Sequence, residues 1–309
     1  MICVLAASPA IDVTYRVEHA TWGDSHRVDP PLKRAGGKGV NVARVLTQLG
    51  SPARVVMPLG GRSGDWLADE LTQANIDAVR VNVSGDTRTC VAIVSGSTGN
   101  EVATLLNEKP AGLTETNWKA LVAGVTDALP HASALVISGT VPAGISPSDL
   151  GALVSTASAQ CPVIADTQGD YLREASRAGA YLVCPNSEEA KDATGAGSDD
   201  AAARALHELG AKHVLITQGK DGALLFSEGV FQSFHVPVLS GNPTGAGDAL
   251  AAGIAHALDQ SLPLSEAIQL GLAVSLASLS KPWAGEVDAE SVGDFLARVS
   301  SSRGGGEGD

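Results

Sequence analysis

The chain has 309 residues, 44% of them hydrophobic and 18% charged, a composition typical of a globular protein with a sizeable core. The formal net charge of −13 argues against nucleic acid or an anionic membrane as a general partner, because both would repel it. The four cysteines show neither disulfide-framework nor zinc-site spacing. No apolar run reaches the length of a membrane span, and the N-terminal segment lacks the basic region of a signal peptide. We therefore expect a cytoplasmic protein.

The first third of the chain mixes buried and half-exposed strands. Residues 2–7 form a short apolar run that suits a buried strand, whereas residues 12–34 and 79–107 contain alternating segments typical of exposed strands. Between them, AGGKGVN at 35–41 opens a segment with helical spacing, and Gly50 follows it at a C-cap position. The segments at 12–34 and 79–107 could build a small sheet apart from the main one.

From residue 114 onward, helices and buried strands alternate. Helical patterns occupy residues 114–129, 146–159, 171–178 and 201–209, and strand patterns occupy 134–138, 162–166, 181–184 and 213–217. This alternation is typical of a parallel sheet with helices on both faces. An antiparallel pair at 223–226 and 230–235 follows, and then three helices beginning near residues 247, 265 and 288. We predict one α/β domain over residues 1–299 with a small β-sheet insertion, and a disordered tail at 300–309.

Polar residues stand at or just after the ends of several strands in this pattern. Since the carboxyl ends of parallel strands meet at one edge of a sheet, such residues collect there. A few polar strand ends occur in any sheet, but five together favour a ligand cleft. The five are Asp12, Ser138, Asp166, Asn186 and Thr217.

The segment GNPTGAGDA at 241–249 precedes a run of small residues that reads as a helix. Glycines before a helix let the amides of Gly245, Ala246 and Gly247 converge on one point, where the helix N-terminus adds positive potential. Asp248 then places a carboxylate inside an anion site, which suits the deprotonation of a hydroxyl during phosphoryl transfer. The alternative is a glycine-rich turn whose aspartate supports the helix start, and the segment alone does not decide. A near copy, TGAGS at 194–198, carries Ser198 where Asp248 stands, and we interpret it as a surface loop.

Two further segments each allow a structural and a functional interpretation. Asn186 and Glu189 have the spacing of a capping box, and they also suit a Mg²⁺ ion or its waters. TQGKDG at 217–222 is either a hairpin turn or a glycine-lined surface under a nucleotide. Neither a Walker A motif nor G-x-G-x-x-G after a strand is present. Arg27 and Arg88 are candidate partners of an anionic substrate through their fork geometry, although each alone also fits a solvated surface.

Taken together, these segments resemble the ribokinase-like sugar kinases of the PfkB family. The resemblance runs in the family's order through nearly the whole chain, and it is closest to the 1-phosphofructokinase and tagatose-6-phosphate kinase branch. The pairing of GGKG-x-NVAR with a distant GAGD is its most specific part. The matching segments are SPAID at 8–12, AGGKGVNVARVLTQLG at 35–50, TR at 87–88, TLLNE at 104–108, SGTVPAG at 138–144, PNSEE at 185–189, TQGKDG at 217–222 and GNPTGAGDA at 241–249.

The resemblance implies a three-layer α/β kinase domain with a mostly parallel central sheet and a β-sheet lid that can pair with a second copy in a homodimer. It implies ATP and Mg²⁺ as cofactors and a small sugar phosphate as substrate. Asp248 would be the base, and the amides of Gly245, Ala246 and Gly247 the anion hole. The sugar hydroxyls would be held by Asp12, Gly36, Gly37, Lys38 and Asn41. The substrate phosphate would be bound by Arg88, Arg27 and Ser138. Asn186 and Glu189 would organise Mg²⁺, and the turn with Thr217, Gly219 and Gly222 would carry ATP.

Three positions depart from the family pattern. Ser8 stands where the first motif usually has Asn, Cys184 replaces a Lys before Pro185-Asn186, and Gln168 stands in a segment that usually reads Asp-Ser-Gly. The leading hypothesis is an ATP-dependent kinase that converts fructose 1-phosphate to fructose 1,6-bisphosphate. Alternatives are a tagatose-6-phosphate or fructose-6-phosphate kinase, a kinase of unphosphorylated sugars or nucleosides, and a non-catalytic sugar-phosphate-binding protein.

Overall fold

The computed structural model describes residues 1–96, 102–239 and 241–303. Its strands are β1 Ile2–Leu5, β2 Ala10–Val17, β3 Leu32–Gly36, β4 Ala53–Leu59, β5 Asp77–Asn82, β6 Thr89–Ser95, β7 Val102–Asn107, β8 Ala134–Ser138, β9 Val163–Asp166, β10 Leu182–Val183, β11 His213–Thr217, β12 Ala223–Ser227, β13 Val230–His235 and β14 Ser300–Arg303. Its helices are α1 Lys38–Gln48, α2 Gly61–Gln73, α3 Glu115–Ala128, α4 Pro147–Ser158, α5 Gly169–Arg177, α6 Ser187–Thr194, α7 Asp199–Leu209, α8 Ala246–Asp259, α9 Leu264–Ser278 and α10 Val292–Leu296. None of the helices in these ranges is long and apolar enough to cross a bilayer.

The large sheet has the strand order β14-β13-β12-β11-β10-β9-β8-β1-β4-β5. In this sheet order, all neighbouring strands between β11 and β5 pair in parallel, whereas β12, β13 and β14 add antiparallel pairs at the other edge. Because parallel neighbours need a crossover, the intervening helices cover the faces of the sheet. The predicted mostly parallel α/β sheet is confirmed.

The apolar core lies on both faces of this sheet. Along β1, Ile2 and Val4 pack into one cluster while Cys3 and Leu5 pack into the other, as the alternation of side chains along a strand requires. Buried residues of α1, α2, α8 and α9 belong to the first cluster, and those of α3, α4, α5, α6 and α7 belong to the second. The result is the three-layer arrangement that the sequence predicts.

A second, smaller sheet has the strand order β3-β2-β6-β7 and is called the lid sheet below. It matches the predicted lid except at residues 79–82. Those residues belong to β5, which pairs in parallel with β4 in the large sheet. The reason is that α2 returns the chain to the same edge, so β4, α2 and β5 form one crossover unit. The lid strands therefore lie in residues 10–36, 89–95 and 102–107, and residues 97–101 of the predicted segment lie outside the described residues.

The predicted disordered tail is wrong for residues 300–303. Ser300–Arg303 forms β14, which pairs antiparallel with β13 through residues 232–235. Without β14, strand β13 would be the edge of the sheet and would leave a row of backbone N–H and C=O groups unpaired. The backbone of β14 pairs with these groups, and this pairing does not depend on the polar side chains of β14. Residues 304–309, which carry the rest of the prediction, lie outside the described residues.

Candidate active site

A cleft of about 1510 Å³ lies between the carboxyl edge of the large sheet, the lid sheet and the segment that follows α9. It brings together residues that are far apart in sequence and that the sequence analysis had singled out separately. These are Asp12, Gly37, Lys38, Asn41, Arg88, Asn186, Glu189, Thr217, Gly245, Gly247 and Asp248.

The predicted row of polar strand ends forms at this edge. Ser138 ends β8 and Asp166 ends the neighbouring β9, and Ser138 Oγ donates a hydrogen bond to Asp166 Oδ2 at 2.9 Å. Ser138 is buried behind Asp166 and does not line the cleft in the described part of the chain. Asp12 reaches the cleft by another route, since it lies within β2 of the lid sheet and not at the end of β1.

The start of α8 is open toward the cleft. Gly245 is its N-cap with φ 84°, a conformation that favours glycine, and no side chain caps the helix. Within residues 1–96, 102–239 and 241–303, the amides of Gly245 and Gly247 donate to no protein acceptor, and a Cβ at Gly247 would meet nothing within 4 Å. The Ala246 amide instead donates to the Pro243 carbonyl at 3.1 Å. Two of the three predicted anion-hole amides are therefore free to bind an anion.

Asp248, in the first turn of α8, is a buried carboxyl group at the bottom of the cleft. Asp248 is only 4% exposed, and Asn41 Nδ2 donates a hydrogen bond to Asp248 Oδ2 at 2.8 Å. Burial raises the pKa of Asp248 to about 7, with Asp166 adding to the rise while the Asn41 hydrogen bond and Lys38 oppose it. A carboxyl group that titrates near neutral pH has the proton affinity that a general base needs.

Lys38, the first residue of α1, holds a positive charge between the carboxylates of the cleft. Its Nζ lies 3.2 Å from Asp166 Oδ2. Burial works against the ammonium ion, but Asp166, Asp248 and Glu189 outweigh it and raise the pKa of Lys38 above its usual value. Lys38 therefore remains a cation within reach of a bound anion.

The glycines at 36 and 37 make room for Asp12. A Cβ at Gly36 would lie 2.0 Å from Asp12 Oδ2, so only glycine permits this placement of the carboxyl group. Gly37 has φ 88°, and a Cβ there would lie 2.9 Å from the Ser8 carbonyl oxygen. Burial raises the pKa of Asp12 to about 6, against the Gly37 amide and nearby arginines. The AGG segment thus shapes the part of the cleft around Asp12 through close backbone approach.

The two predicted phosphate-binding arginines have different positions. Arg88 lines the cleft, and its guanidinium donates to the carbonyls of Ser8 at 3.0 Å, Glu108 at 3.0 Å and Pro9 at 3.4 Å. Arg27 lies in the exposed segment between β2 and β3 and does not line the cleft of the described chain. The strand pattern predicted for residues 12–34 does not give the position of Arg27, because the segment that carries Arg27 forms no strand.

Several cations of the cleft were not among the predicted site residues. Arg44 pairs with Glu70 at 2.9 Å, and Arg34 pairs with Glu286 at 2.9 Å. The missed cations are Arg16, Lys33, Arg34, Arg44 and Lys281. Only Arg44 had a signal in the sequence, as the last residue of the GGKG-x-NVAR segment. Carboxylates line the same cleft in nearly equal number, so these cations bring the cleft close to neutral within a chain of net charge −13.

On the other side of the cleft, the capping box is confirmed. Asn186 Oδ1 accepts from the Glu189 amide at 2.9 Å, and Glu189 Oε2 accepts from the Asn186 amide at 3.0 Å. Both residues also line the cleft beside Thr217, which pairs with Asn186 in an isolated parallel bridge.

The turn after Thr217 is the hairpin turn between β11 and β12. Gly222 has φ 97°, and a Cβ there would lie 1.9 Å from the Phe234 carbonyl oxygen, so this glycine is required by the fold. In the described residues neither Gly219 nor Gly222 lines the cleft, whereas Thr217 does. Structural and ligand-facing roles therefore coexist in one short segment.

The donor set of the cleft fits a magnesium nucleotide better than a dedicated metal cage. No cluster of three or more His, Cys, Asp or Glu residues that could hold a metal occurs among the described residues. Glu189 and Asp166 do line the same cleft as the open start of α8. Mg²⁺ commonly binds one or two carboxylates together with waters and phosphate oxygens, so these residues fit an ion that arrives with a polyphosphate.

The comparisons with known proteins agree with this geometry. The model of the pfkB family of carbohydrate kinases matches residues 1–290, and the chain belongs to this family. The 1-phosphofructokinase of Bacillus subtilis (strain 168) is 29% identical over 282 residues, which cover 88% of this chain and 90% of that protein. The 1-phosphofructokinase of Borreliella burgdorferi is 29% identical over 80% of this chain and 81% of its own length.

Among solved structures, phosphofructokinase-2 from Escherichia coli in complex with potassium superposes with a TM-score of 0.88. The two sequences are 27% identical, and the match covers 96% of this chain and 98% of that chain. The fold is thus ribokinase-like, and the protein is an ATP-dependent sugar kinase of a family that typically uses Mg²⁺.

Proposed function

We propose that the protein phosphorylates a free hydroxyl of a ketohexose monophosphate, with fructose 1-phosphate as substrate and fructose 1,6-bisphosphate as product. The observation that carries the proposal is the buried Asp248 carboxyl, held by Asn41 beside an uncapped helix start in a cleft that Lys38 and Arg88 also line. ATP, when bound with Mg²⁺, supplies the phosphoryl group.

In this proposal Asp248 takes the proton of the acceptor hydroxyl. The Asn41 side chain donates its hydrogen bond to Asp248 Oδ2, which leaves Asp248 Oδ1 for the acceptor hydroxyl. With a pKa of about 7, Asp248 is substantially ionised at neutral pH and still basic enough to accept a proton as the hydroxyl oxygen attacks. The Asn41 Oδ1 atom is buried without a partner in the described part of the chain and lies against Gly285, so Asn41 acts on the substrate through Asp248.

The charge of the transferring group is balanced by the start of α8 and by Lys38. The free amides of Gly245 and Gly247 point toward an anion at the helix N-terminus, and the helix dipole adds to their effect. Lys38, kept charged by its acidic neighbours, lines the same cleft and lies close enough to Asp248 to lower the pKa of that carboxyl group. Together they stabilise negative charge where it grows during transfer.

The cations on the lid side of the cleft support a substrate that already carries a phosphate. Arg88 immediately precedes β6, whose Cys90 is the register partner of Asp12, and Arg34, Arg88 and Arg44 all lie close enough to lower the pKa of Asp12. Arg34 and Arg44 already pair with Glu286 and Glu70, whereas the hydrogen bonds of Arg88 in the described part of the chain go to neutral carbonyls, so its charge is left for a substrate phosphate. Arg88 therefore favours a sugar phosphate over a plain sugar or nucleoside.

The names of the relatives favour fructose 1-phosphate over its alternatives. Two proteins named 1-phosphofructokinase match over 80% or more of this chain, while the structure of phosphofructokinase-2 from Escherichia coli in complex with fructose-6-phosphate makes that sugar phosphate the second candidate. Tagatose 6-phosphate remains a third candidate from the branch resemblance. A non-catalytic binding protein is disfavoured because it would have no need for a buried carboxyl with a pKa near 7.

A steady-state panel with ATP and Mg²⁺ tests the substrate. Fructose 1-phosphate, fructose 6-phosphate, tagatose 6-phosphate, fructose, ribose and adenosine are compared by kcat/KM. We expect fructose 1-phosphate to give the highest value and the unphosphorylated compounds the lowest. Faster turnover of ribose or adenosine would refute the phosphorylated substrate, and thermal stabilisation by sugar phosphates with no ADP formed would favour the binding protein.

We also propose that two copies associate through their lid sheets. Large apolar residues are exposed on the lid and on the segment between its first two strands, namely Trp22, Val28, Leu32, Val102, Leu105 and Leu106. The strands β3 and β7 end the lid sheet on either side, so their outer backbone groups can pair with another strand. A second copy offers the same apolar surface and the same open edges.

Light scattering coupled to size exclusion tests the association. We expect a dimer for the unmodified protein and a monomer for Leu106→Glu. Val238→Glu is the matched control, because Val238 is 77% exposed and lies outside the lid. A monomeric unmodified protein, or equal behaviour of the two variants, would contradict the lid interface.

A further inference from the structure

The near copy of the catalytic glycine segment, at residues 194–198, is followed by a carboxylate that the proposed mechanism does not use. Asp199 begins α7, and its side chain is only 14% exposed. Its Oδ2 accepts hydrogen bonds from Ser187 Oγ at 2.9 Å and from Gln218 Nε2 at 2.7 Å, and Lys191 Nζ lies 3.0 Å from its Oδ1. One carboxylate therefore joins α6, α7 and the turn after β11.

The two side chains that donate to Asp199 Oδ2, the Ser187 hydroxyl and the Gln218 amide, each follow a residue that lines the cleft. Ser187 follows Asn186, the N-cap of α6, and Gln218 follows Thr217, the last residue of β11. Asn186 and Thr217 both line the cleft. Asp199 itself does not line the cleft in the described part of the chain, so it acts on a ligand through these neighbours.

The main chain alone does not fix the turn in the same way. The Thr217 amide donates to the Pro185 carbonyl at 3.0 Å, which aligns the end of β11 with the segment before α6. Gln218 is the first residue beyond the strand, and its backbone bonds lie within the turn, to Gly222 and Asp221. Among the side-chain bonds of the described residues, the bond to Asp199 is the one that ties Gln218 to the helices beneath it.

The bonds to Asp199 are of the stronger, charge-assisted kind. Burial opposes the ionised carboxylate, but the donors Gln218, Lys191 and Ser187 outweigh burial and lower the pKa of Asp199. The group is thus an anion at neutral pH, and all of its bonds are made by the charged form. Loss of the carboxylate would leave the main-chain bond of Thr217 to Pro185 in place but would release Gln218, and with it the turn, from Ser187 and α7.

We infer that Asp199 is a positioning residue for the nucleotide: it holds the turn at 217–222 against the start of α6, so that Thr217 and Glu189 face one ligand. The inference rests on the proposed function for the assignment of the nucleotide to this side of the cleft. It predicts an effect on ATP that is separate from any effect on the sugar phosphate.

The test compares Asp199→Ala with Asp200→Ala, its exposed neighbour in the same helical turn. Binding of MgATP is measured by calorimetry, and the KM values for ATP and for the sugar phosphate are measured by steady-state kinetics. For Asp199→Ala we expect the Kd and KM of ATP to rise about tenfold, the equivalent of one charge-assisted hydrogen bond. The KM of the sugar phosphate should stay within about twofold of the unmodified value, and Asp200→Ala should leave both constants unchanged.

Gln218→Ala provides a second variant that removes one donor and leaves the carboxylate in place. We expect Gln218→Ala to raise the Kd and KM of ATP less than Asp199→Ala does. In the variant that carries both changes, the free-energy effect on ATP binding should be smaller than the sum of the two single effects, because both changes break the same contact. If Asp199→Ala does not fold, this variant alone carries the test. Unchanged ATP constants, or equal rises for ATP and sugar phosphate, would overturn the inference. Calorimetry needs no acceptor sugar, so a protein that binds MgATP but phosphorylates no sugar phosphate would refute only the proposed function.

Discussion

Two helix starts in this molecule share the spacing G-A-G, yet they have opposite relations to the cleft. At α8, Gly245 is a left-handed N-cap, no side chain caps the helix, and Asp248 is buried at the bottom of the cleft. At α7, Ser198 caps the helix by accepting from the Ala201 amide at 3.3 Å, so the first-turn amides are partly used. The glycine spacing is common to both, and the difference lies in which amides remain free and where the acidic residue points.

The comparison also separates two uses of a carboxylate. Asp248 has a raised pKa because burial dominates, and it is suited to exchange a proton. Asp199 has a lowered pKa because its hydrogen-bond donors dominate, and it is suited to hold neighbouring segments in place. In this pair the direction of the pKa shift agrees with the geometry of each carboxylate, one facing the cleft and one enclosed by donors.

The largest expected effect is at the base. Asp248→Asn keeps the shape of the side chain but cannot accept the hydroxyl proton, so kcat should fall by about 10²–10⁴ with little change in KM. Asp200→Asn, in the corresponding turn of α7, is the control and should retain normal turnover. Near-normal kcat for Asp248→Asn would remove Asp248 from the role of base.

A smaller effect is expected at the glycines that begin the comparison. Gly245→Ala places a Cβ 2.7 Å from the Ala284 Cβ at φ 84°, so it should displace the helix start and lower kcat/KM about 100-fold. Gly195→Ala has a similar φ of 72° but meets nothing within 4 Å, and it should cost only about 1 kcal/mol of stability. Kinetics and chemical denaturation of the two variants measure this difference. Equal kinetic losses would show that the glycines matter only as turn residues.

The hydrogen bond from Asn41 should be visible in the pH dependence of kcat. Activity requires ionised Asp248 and should therefore fall as the pH decreases through about 7. Asn41 stabilises the ionised form, so Asn41→Leu should raise the pKa of Asp248 and move the acidic limb of the profile to higher pH. A limb that stays in place while kcat falls would mean that Asn41 contacts the substrate without tuning the base.

The smallest effect concerns stability. The pKa of Asp248 is about 7 when folded and 3.8 as a model group, so the folded state binds more protons between these values. Stability should then decrease as the pH rises through this window, because ionisation of the buried carboxyl opposes folding. Asp248→Asn should raise Tm at pH 8 more than at pH 5. An equal change in Tm at both pH values would argue against the raised pKa.

Much of the fold was predictable because local patterns determined it. The buried strands at 134–138 and 213–217 have the predicted bounds, and the capping box at Asn186 forms as its spacing indicates. The sheet membership of β5 and the pairing of β14 were not predictable, since both depend on which distant strand offers an open edge.

The site was predictable where motifs coincide with elements and not where long-range contacts decide. The motif around Asp248 predicted its position at a helix start. It could not show that the Pro243 carbonyl engages the Ala246 amide, or that Ser138 lies behind Asp166. Arg34 was missed because its cleft-facing position follows from the register of β3 on β2, which no single-strand pattern reveals.

The segment after α9 is wedged between the lid sheet and the catalytic helix starts. Glu286 pairs with Arg34 of β3, and the ring of Trp283 lies 5.7 Å below the guanidinium of Arg16 of β2. On its other side, a Cβ at Gly285 would lie 2.9 Å from Asn41 Oδ1, so only a glycine allows this approach. The lid is therefore not an interchangeable module. Grafting the lid of a relative with a different sugar preference onto this protein should succeed only if residues 283–286 are transferred with it.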